Sequence, residues 1–253
     1  MGTKKTDAVI EIAKVEKQII RVGIVGTSPI ILNRMSEKVR QELLLPKGKK
    51  TSAEKKSMAK HNPIEEYQAS PYRFPVNGMP TYLGVMASAF KGAMRVAALD
   101  IPGSSKAQIG RLVYVEGDLV PLYGIPKIFM AITRSADINK TPDVRTRAIV
   151  PRWAAQIDIS FVKPIMKPQA VLNLLAASGI TSGVGDWRPE KGKGDYGQFR
   201  VANENDEELQ EIMAEGSRAA QIKAMEEPEP YDLETEELLS WYYDEAPKRG
   251  FAV

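Results

Sequence analysis

The part of the chain that most constrains the fold is a strand followed by a helix, a glycine-rich loop and a second strand. Residues 155–162 alternate apolar and polar side chains, which is typical of a half-buried strand. A helix is predicted over residues 167–179, with Pro168 in its first turn and Gly179 just past its end. Residues 183–201 then hold five glycines in nineteen residues and end in a strand. This order predicts a β-α-loop-β unit.

Further strands and helices are predicted on both sides of this unit. Residues 18–25 predict a first strand, and residues 111–134 contain three extended segments separated by turn residues. One helix is predicted over residues 204–225 and a short last helix over residues 233–243. An amphipathic helix over residues 85–100 has an apolar stripe. The stripe consists of Ala89, Phe90, Ala93, Met94 and Ala97. The chain is therefore expected to be α+β.

The other face of the helix over residues 85–100 has Ser88, Lys91, Gly92 and Arg95. Two cations four residues apart repel each other by a few tenths of a kcal/mol. A glycine in a helix interior costs about 1 kcal/mol relative to alanine. Both costs are understandable if a phosphate or a nucleic-acid backbone lies against this face. A solvated basic face is the alternative.

Charge is divided unequally along the chain. Residues 1–203 contain 31 basic and 17 acidic side chains, whereas residues 204–253 contain 4 and 15. We expect a basic body over 1–203 that meets a polyanion, and an acidic helical tail over 204–253. A solvated surface with an acidic solubility tail is the alternative. The chain has no cysteine, so disulfides and thiolate chemistry are excluded.

Three further segments combine cations with aromatic rings or glycines. A lysine-rich insertion over residues 46–62 has almost no apolar side chains and predicts a projecting arm, which either contacts a polyanion or is an inert flexible loop. Residues 141–153 predict a loop in which a tryptophan among arginines could stack on a base, although a core position for Trp153 fits the sequence equally well. In the glycine-rich loop, backbone N–H groups could approach phosphates; a long surface loop without a ligand is the alternative. The candidate nucleic-acid-binding residues of these segments are Lys47, Lys49, Lys50, Lys55, Lys56, Lys60, Arg145, Arg147, Arg152, Trp153, Trp187, Arg188, Lys191, Lys193 and Tyr196.

The helix over residues 85–100 and the glycine-rich loop, in this order, resemble the pattern of the RAMP superfamily (repeat-associated mysterious proteins). The residues that match its helix motif are Ser88, Lys91, Gly92 and Arg95. Within the superfamily the chain is most similar to the Cas7-like type, the backbone subunits that line up along a CRISPR RNA. The resemblance covers roughly residues 18–202. It implies a ferredoxin-like, RRM-like core with insertions, bound to single-stranded RNA as a multimer.

The chain departs from the family in its candidate catalytic residues. Backbone subunits that cut their target resemble one another in an acidic residue soon after the first strand, and Asn33 stands in the comparable stretch here. The single histidine, His61, has no partner evident in the sequence. Clusters of metal ligands and nucleotide-hydrolysis motifs are both missing. We therefore expect a protein that is not an enzyme and has neither a cofactor nor a metal site.

Several functions compete at this level. The leading prediction is a protein that coats single-stranded nucleic acid, with RNA favoured over DNA, as a homo-oligomer or filament. A single-stranded DNA-binding protein of phage replication or recombination, a RAMP-type endoribonuclease and a structural or virion protein are the alternatives. Without a signal sequence or a membrane-length apolar run, the chain is expected to be cytoplasmic.

The acidic tail contains an apolar cluster that a solvating tail would not need. Its members are Leu238, Leu239, Trp241 and Tyr242. One interpretation is that the tail docks on the basic body of its own or a neighbouring subunit and competes with nucleic acid or orders the filament. The other is a final helix packed on its own domain.

Overall fold

The computed structural model describes residues 14–35, 43–44, 61–75, 77–134, 142–191 and 194–251. Within these ranges the chain forms ten strands and seven α-helices, and the α+β expectation is confirmed. The strands are β1 (Glu16–Gly26), β2 (Ile30–Leu32), β3 (Tyr72–Arg73), β4 (Leu83–Met86), β5 (Val113–Val115), β6 (Leu119–Tyr123), β7 (Lys127–Arg134), β8 (Pro142–Val150), β9 (Ala154–Lys163) and β10 (Phe199–Ala202). The helices are α1 (Pro63–Ala69), α2 (Ala87–Ala97), α3 (Lys106–Leu112), α4 (Pro168–Thr181), α5 (Glu207–Glu215), α6 (Arg218–Glu226) and α7 (Leu233–Lys248). No helix in those ranges is both long and apolar enough to cross a membrane.

The larger sheet has seven strands in the order β10-β1-β9-β6-β4-β3, and β5 pairs with β9 beside β6. Each strand pairing is antiparallel. The long central strands β1 and β9 are in register from Glu16 opposite Lys163 to Val25 opposite Ala154. Helix α2 lies in the chain between β1 and β5, and α4 lies between β9 and β10. This sheet carries the main core.

Helices cover both faces of the larger sheet. Because side chains alternate along β1, Val22 and Ile24 point into the main core, which also contains Phe90 of α2 and Leu174 of α4. Val25 points the other way, into a smaller cluster with residues of α5. The sheet is therefore packed between α2 and α4 on one side and α5 on the other.

A second, three-stranded sheet has the order β2-β8-β7. Strands β7 and β8 form a long hairpin, with Lys127 opposite Ile149 and Arg134 opposite Pro142. The sequence predicted a loop over residues 141–153, and this prediction is wrong for residues 142–150. Val144, Thr146 and Ala148 alternate with Arg145 and Arg147, which is a strand pattern in which the two half-buried arginines share one face.

Glycines account for two further differences from the sequence predictions. Helix α4 continues through Gly179, where a Cβ would lie 2.0 Å from the carbonyl oxygen of Phe199, so this glycine allows helix and strand to approach closely. The single helix predicted over residues 204–225 is two helices, α5 and α6, separated at Gly216. A Cβ at Gly216 would lie 2.0 Å from the backbone nitrogen of Gly124.

The acidic segment after Ala202 packs on the body of the protein. Leu209 and Ile212 of α5 are buried, and Met225 of α6 and Leu239 of α7 belong to the main core. Residues 229–231 lie along the outer edge of β7, where Ile128 donates its N–H to Glu229 and accepts from the N–H of Tyr231 at 2.9 Å each. The core is thus continuous across the predicted boundary at 203/204, and the division into a body and a tail stays a prediction.

Gln221 of α6 connects the tail to the larger sheet through four hydrogen bonds. Its fully buried side chain accepts from the N–H groups of Tyr82 and Leu83 at 2.8 and 2.9 Å. The amide group donates to the carbonyls of Leu122 and Gly124 at 2.7 and 2.9 Å. One side chain therefore satisfies four backbone groups of neighbouring strands and turns.

We expect Gln221→Met to destabilise the protein by about 3–5 kcal/mol. The methionine fills a similar volume, but the four backbone groups are left buried without partners, at about 1–3 kcal/mol each before relaxation. Chemical denaturation measures the loss. Gln169→Met on α4 is the control, because the amide of Gln169 is exposed and its substitution should change stability by less than about 0.5 kcal/mol. Equal stability of the two variants would contradict the structural role of Gln221.

Candidate nucleic-acid interface

An open groove of about 470 Å³ separates α2 from the glycine-rich loop. One wall is the polar face of α2, extended by Lys106 at the start of α3. The opposite wall is formed by residues 184–190 and by Asn33, just after β2. The two motifs that were singled out in the sequence, about 90 residues apart, thus lie on the two sides of one groove.

The helical wall is the face predicted from the sequence. Phe90, Met94 and Ala97 are buried in the core, Ala89 and Ala93 lie between the core and the groove, and Ser88, Gly92 and Arg95 line the groove. A Cβ at Gly92 would meet nothing within 4 Å. Packing inside the protein therefore does not require this glycine, unlike the glycines at positions 179 and 216.

The cations of this wall are not paired with acids of the described residues. Arg95 has neither an ion pair nor a hydrogen-bond partner for its buried Nε there, and Lys106 likewise has no acidic partner. Lys91 lies beside the groove, with its Nζ 3.9 Å from the ring centroid of Tyr114. Burial, together with the charge of Arg95, lowers the pKa of Lys91. This wall is available to an anionic ligand.

The loop wall has a different electrostatic character. Asp186 accepts from the side-chain amide of Asn33 at 2.9 Å and from the N–H of Trp187 at 3.1 Å. Arg188 is neutralised by Glu190, with Nη2 2.7 Å from Oε2, and also donates to the carbonyl of Gly185. The carboxylate of Asp186 is thus the charged group of this wall that has no directly bonded cation in the described part of the chain.

The glycines of the loop serve contacts within the protein. Gly197 has φ +72°, and a Cβ there would lie 1.7 Å from the carbonyl oxygen of Val184. Added Cβ atoms at Gly185 and Gly194 would lie 2.7 and 2.5 Å from the carbonyls of Ile31 and Trp187. From the sequence, the loop glycines are expected to let phosphates approach the backbone. For these three positions that interpretation is wrong, because the protein's own backbone occupies the space.

The aromatic residues of the loop pack on the second sheet. Phe129 of β7 contacts Trp187 and Tyr231 edge-on, at centroid distances of 5.7 Å each, and Tyr196 at 6.4 Å. Trp187 has φ 51°, a left-handed conformation that is uncommon outside glycine. Both loop rings are half-buried, so they anchor the loop while part of each ring stays in contact with solvent.

Arg145 and Arg147 lie on the same side of the second sheet as this aromatic cluster. Arg147 is opposite Phe129 in the hairpin, and Arg145 is opposite Ala131. Burial lowers the pKa of Arg147, whose Nη1 donates to the carbonyl of Thr146. The structure therefore brings the arginines of β8 and the rings of the glycine-rich loop together, next to the groove.

Two candidate residues, Trp153 and Arg152, are occupied by contacts within the protein. Trp153 is fully buried, packs edge-on against Phe199 and donates its indole N–H to the carbonyl of Ser28 at 2.8 Å. Its prediction as a stacking residue is wrong, since the alternative core position holds. Arg152 is bound by two carboxylates of α5, those of Glu211 and Glu215. The acidic tail thus occupies this cation.

The remaining candidates fall on exposed or undescribed residues. Ser88 and Lys191 are exposed. The lysines of the insertion and one lysine of the loop lie outside the described residues: Lys47, Lys49, Lys50, Lys55, Lys56, Lys60 and Lys193.

Sequence reasoning did not select several groove residues. Asp186 and Lys106 are single charged residues in segments that look like turns, so no pattern marked them. Tyr72 lines the groove, and the guanidinium of Arg34 lies 6.0 Å from its ring centroid. The short strands β2 and β3 bring these residues to the groove, and strands of two or three residues leave little signal in a sequence.

His61 has partners that the sequence did not reveal. Its Nδ1 lies 2.7 Å from Oε1 of Glu66, and its Nε2 lies 3.1 Å from Oδ1 of Asp143. The hydrogen bond with Glu66 raises the pKa of His61, and the charges of both carboxylates add to this effect against the cost of burial. In the described ranges no group of three acidic or histidine side chains is arranged to hold a metal ion.

Comparison with known proteins identifies no family. No family model matches the chain, and no curated protein matches it in sequence. Among solved structures, a chain in the cryo-EM structure of the Type III-B Cmr-beta bound to cognate target RNA is similar, with 14% identity and a TM-score of 0.37. The match covers 74% of this chain and 59% of that one, so this chain spans less than two thirds of the length of the solved chain. The RAMP resemblance stays a prediction.

We expect the stability of the protein to fall as the pH rises above about 6.5, the ordinary pKa of histidine. The folded state binds a proton at His61 more tightly than the unfolded state does, because the folded pKa is raised. The contribution is complete below the unfolded pKa and is lost as pH passes through the folded one. Denaturant titrations from pH 5.5 to 8.5 measure this.

His61→Gln should flatten the pH dependence in this range, because the chain has a single histidine. Lys223→Gln on α6 serves as a control for the loss of one positive charge. An unchanged slope in His61→Gln would show that protonated His61 does not hold α1 against β8.

Proposed function

We propose that this protein is a non-catalytic, single-stranded nucleic-acid-binding protein that coats RNA as a Cas7-like multimer. The groove between α2 and the glycine-rich loop is the proposed binding site, extended by the arginines of β8. The observation that carries the proposal is that two cations of the groove, Arg95 and Lys106, have no acidic partner in the described ranges. Several cations outside the groove are neutralised instead, such as Arg152 by Glu211 and Arg200 by Asp206 and Glu208.

Gly92 gives independent support for a ligand at this wall. A glycine inside a helix destabilises it by about 1 kcal/mol, and no atom of the described protein lies where its side chain would be. An open, groove-facing position that still lacks a side chain is understandable when a ligand backbone approaches the helix there.

A ferredoxin-like core is part of the proposal. Such a core has the chain order β-α-β-β-α-β, with the last strand beside the first and the third strand between the first and the second. The matching order here is β1, α2, β5, β9, α4 and β10, and the sheet order β10-β1-β9-β5 agrees with it. The other strands and α1, α3 and α5–α7 would be insertions and extensions on this core.

The resemblance of the helix motif to the RAMP superfamily favours RNA over DNA as the ligand. The same resemblance favours assembly as a multimer. The two nucleic acids differ in the 2′-hydroxyl, so a matched RNA and DNA of one sequence distinguish them directly. Single-stranded DNA binding of equal or greater affinity would favour the phage replication alternative.

The proposed lack of catalysis is supported by the surroundings of His61. Both ring nitrogens lie within hydrogen-bond distance of carboxylates of the protein, so each of them already has a partner within the fold. Asn33 uses its amide to bind Asp186 and has no charge of its own. Specific RNA cleavage that is lost in His61→Ala would overturn this part of the proposal.

We expect Gly92→Gln to weaken binding of single-stranded RNA at least tenfold, which is about 1.4 kcal/mol, while raising the free energy of unfolding by about 0.5–1 kcal/mol. Glutamine favours a helix, and its side chain enters the groove. Fluorescence anisotropy and chemical denaturation measure the two effects. The control is Ser240→Gln, at an exposed position of α7 that does not line the groove. Binding that is as tight as in the wild type would remove the ligand from this wall.

Replacing both Lys91 and Arg95 by alanine should weaken binding to every sequence alike and make it less dependent on salt. For single strands each neutralised phosphate contributes about −0.7 to the slope of log K against log salt, so the slope should shrink by up to about 1.4. The matched control removes Lys163 and Lys223, two cations that do not line the groove. Equal slopes for the two double variants would make the basic face of α2 an ordinary solvated surface.

A further inference from the structure

We infer that the groove is a guanine-selective nucleotide subsite, with the phosphate at the wall of α2 and α3 and the base against Asp186. This inference rests on the proposed function and adds a sequence preference to it. It follows from the different charges of the two walls, the free lone pairs of Asp186 and the dimensions of the groove.

The two walls orient a nucleotide in one direction. The helical wall presents Ser88, Arg95 and Lys106, which suit a phosphate. The loop wall presents the carboxylate of Asp186, while the other acid, Glu190, is neutralised by Arg188. A phosphate at the loop wall would be repelled by Asp186, so the base is the part of the nucleotide that faces this wall.

The carboxylate of Asp186 keeps acceptor capacity for a ligand. Its Oδ2 takes one hydrogen bond from Asn33 and its Oδ1 takes one from the N–H of Trp187, while each carboxylate oxygen has two lone pairs. The positive charge of Arg147 acts on this carboxylate without bonding to it, so a bound polyanion is tolerated best where the ligand also gives the carboxylate N–H donors. Guanine alone among the four RNA bases has two neighbouring N–H donors, at N1 and N2, which match the two oxygens.

Asn33 completes the complementarity. Its side chain is exposed and uses one amide N–H on Asp186, which leaves a second N–H and the amide oxygen available. A donor beside the carboxylate suits the O6 acceptor that lies next to N1–H in guanine. The hydrogen bond of 2.9 Å holds the side chain of Asn33 against that of Asp186. The two carboxylate oxygens and the amide N–H are therefore side by side before a ligand binds.

The lining and volume of the groove fit a single nucleotide. Tyr72, Ala89 and Val96 supply half-buried apolar surface for a base, and the volume of about 470 Å³ lies in the range of ordinary small-ligand sites. An unstacked base of a single strand can enter such a site, whereas a base in a duplex cannot.

Binding of a uridine decamer is compared with decamers that contain one guanosine, inosine, 2-aminopurine nucleotide or adenosine in the middle. We expect guanosine to tighten binding about tenfold. Inosine lacks the N2 donor and 2-aminopurine lacks N1–H, so each should lose most of the gain, and adenosine should have none. The same comparison with guanosine and adenosine 5′-monophosphates tests the subsite without a strand.

The matched variants are Asp186→Asn and the exchange Asn33→Asp with Asp186→Asn, which keeps a hydrogen bond between the two positions. In both variants the ratio of the affinities for the guanosine-containing decamer and the uridine decamer should fall to about one, whatever the lost or moved carboxylate does to the affinity for the uridine decamer itself. A preference that survives in both variants, or is missing in the wild type with both probes, overturns the subsite. Selective binding of guanosine monophosphate without binding of any decamer supports the subsite and overturns the proposed coating function instead.

Discussion

The close backbone contact between the glycine-rich loop and the start of the chain determines where the groove lies. Val184 donates its N–H to Gly197, Gly197 donates to Pro29, and Asp186 donates to Ile31, at 2.8–2.9 Å. The first of these bonds closes the loop, and the other two fasten it to the turn between β1 and β2 and to β2 itself. The aromatic contacts of Trp187 and Tyr196 hold its other side on β7. Because Gly197 leaves no room for a Cβ, the wall opposite α2 exists only with glycine at that position.

The periodic spacing of apolar and polar side chains was sufficient to predict the central strands, α2, α4 and the charged face of α2. They failed where a contact distant in sequence decides the role of a residue. Trp153 was placed among arginines by its neighbours, but the core around Phe199 takes it up. The loop glycines pointed to a ligand, whereas the neighbouring backbone fills their space. Asp186 and Lys106 join the groove through folding alone, since nothing in their local sequence distinguishes them.

The acidic segment divides the basic residues of the body into two groups. Its carboxylates bind Arg152 and Arg200, and an ion pair of 3.2 Å joins Glu229 to Lys127. These are exposed pairs of small energetic value, but they neutralise the charge of that side. In the groove, Arg95 and Lys106 have no acidic partner among the described residues. Net charge along the sequence thus becomes a difference between two sides of the molecule.

The contact between residues 229–231 and β7 also limits how copies of the chain can associate. A free strand edge is a template for pairing with another chain, but the outward N–H and C=O of Ile128 are already used, and the N–H of Met130 donates to the hydroxyl of Thr235. The acidic segment therefore covers this edge of the second sheet at residues 128–130. Neighbouring subunits of a multimer would have to meet through side chains or another edge, which makes continuous sheet growth through β7 unfavourable.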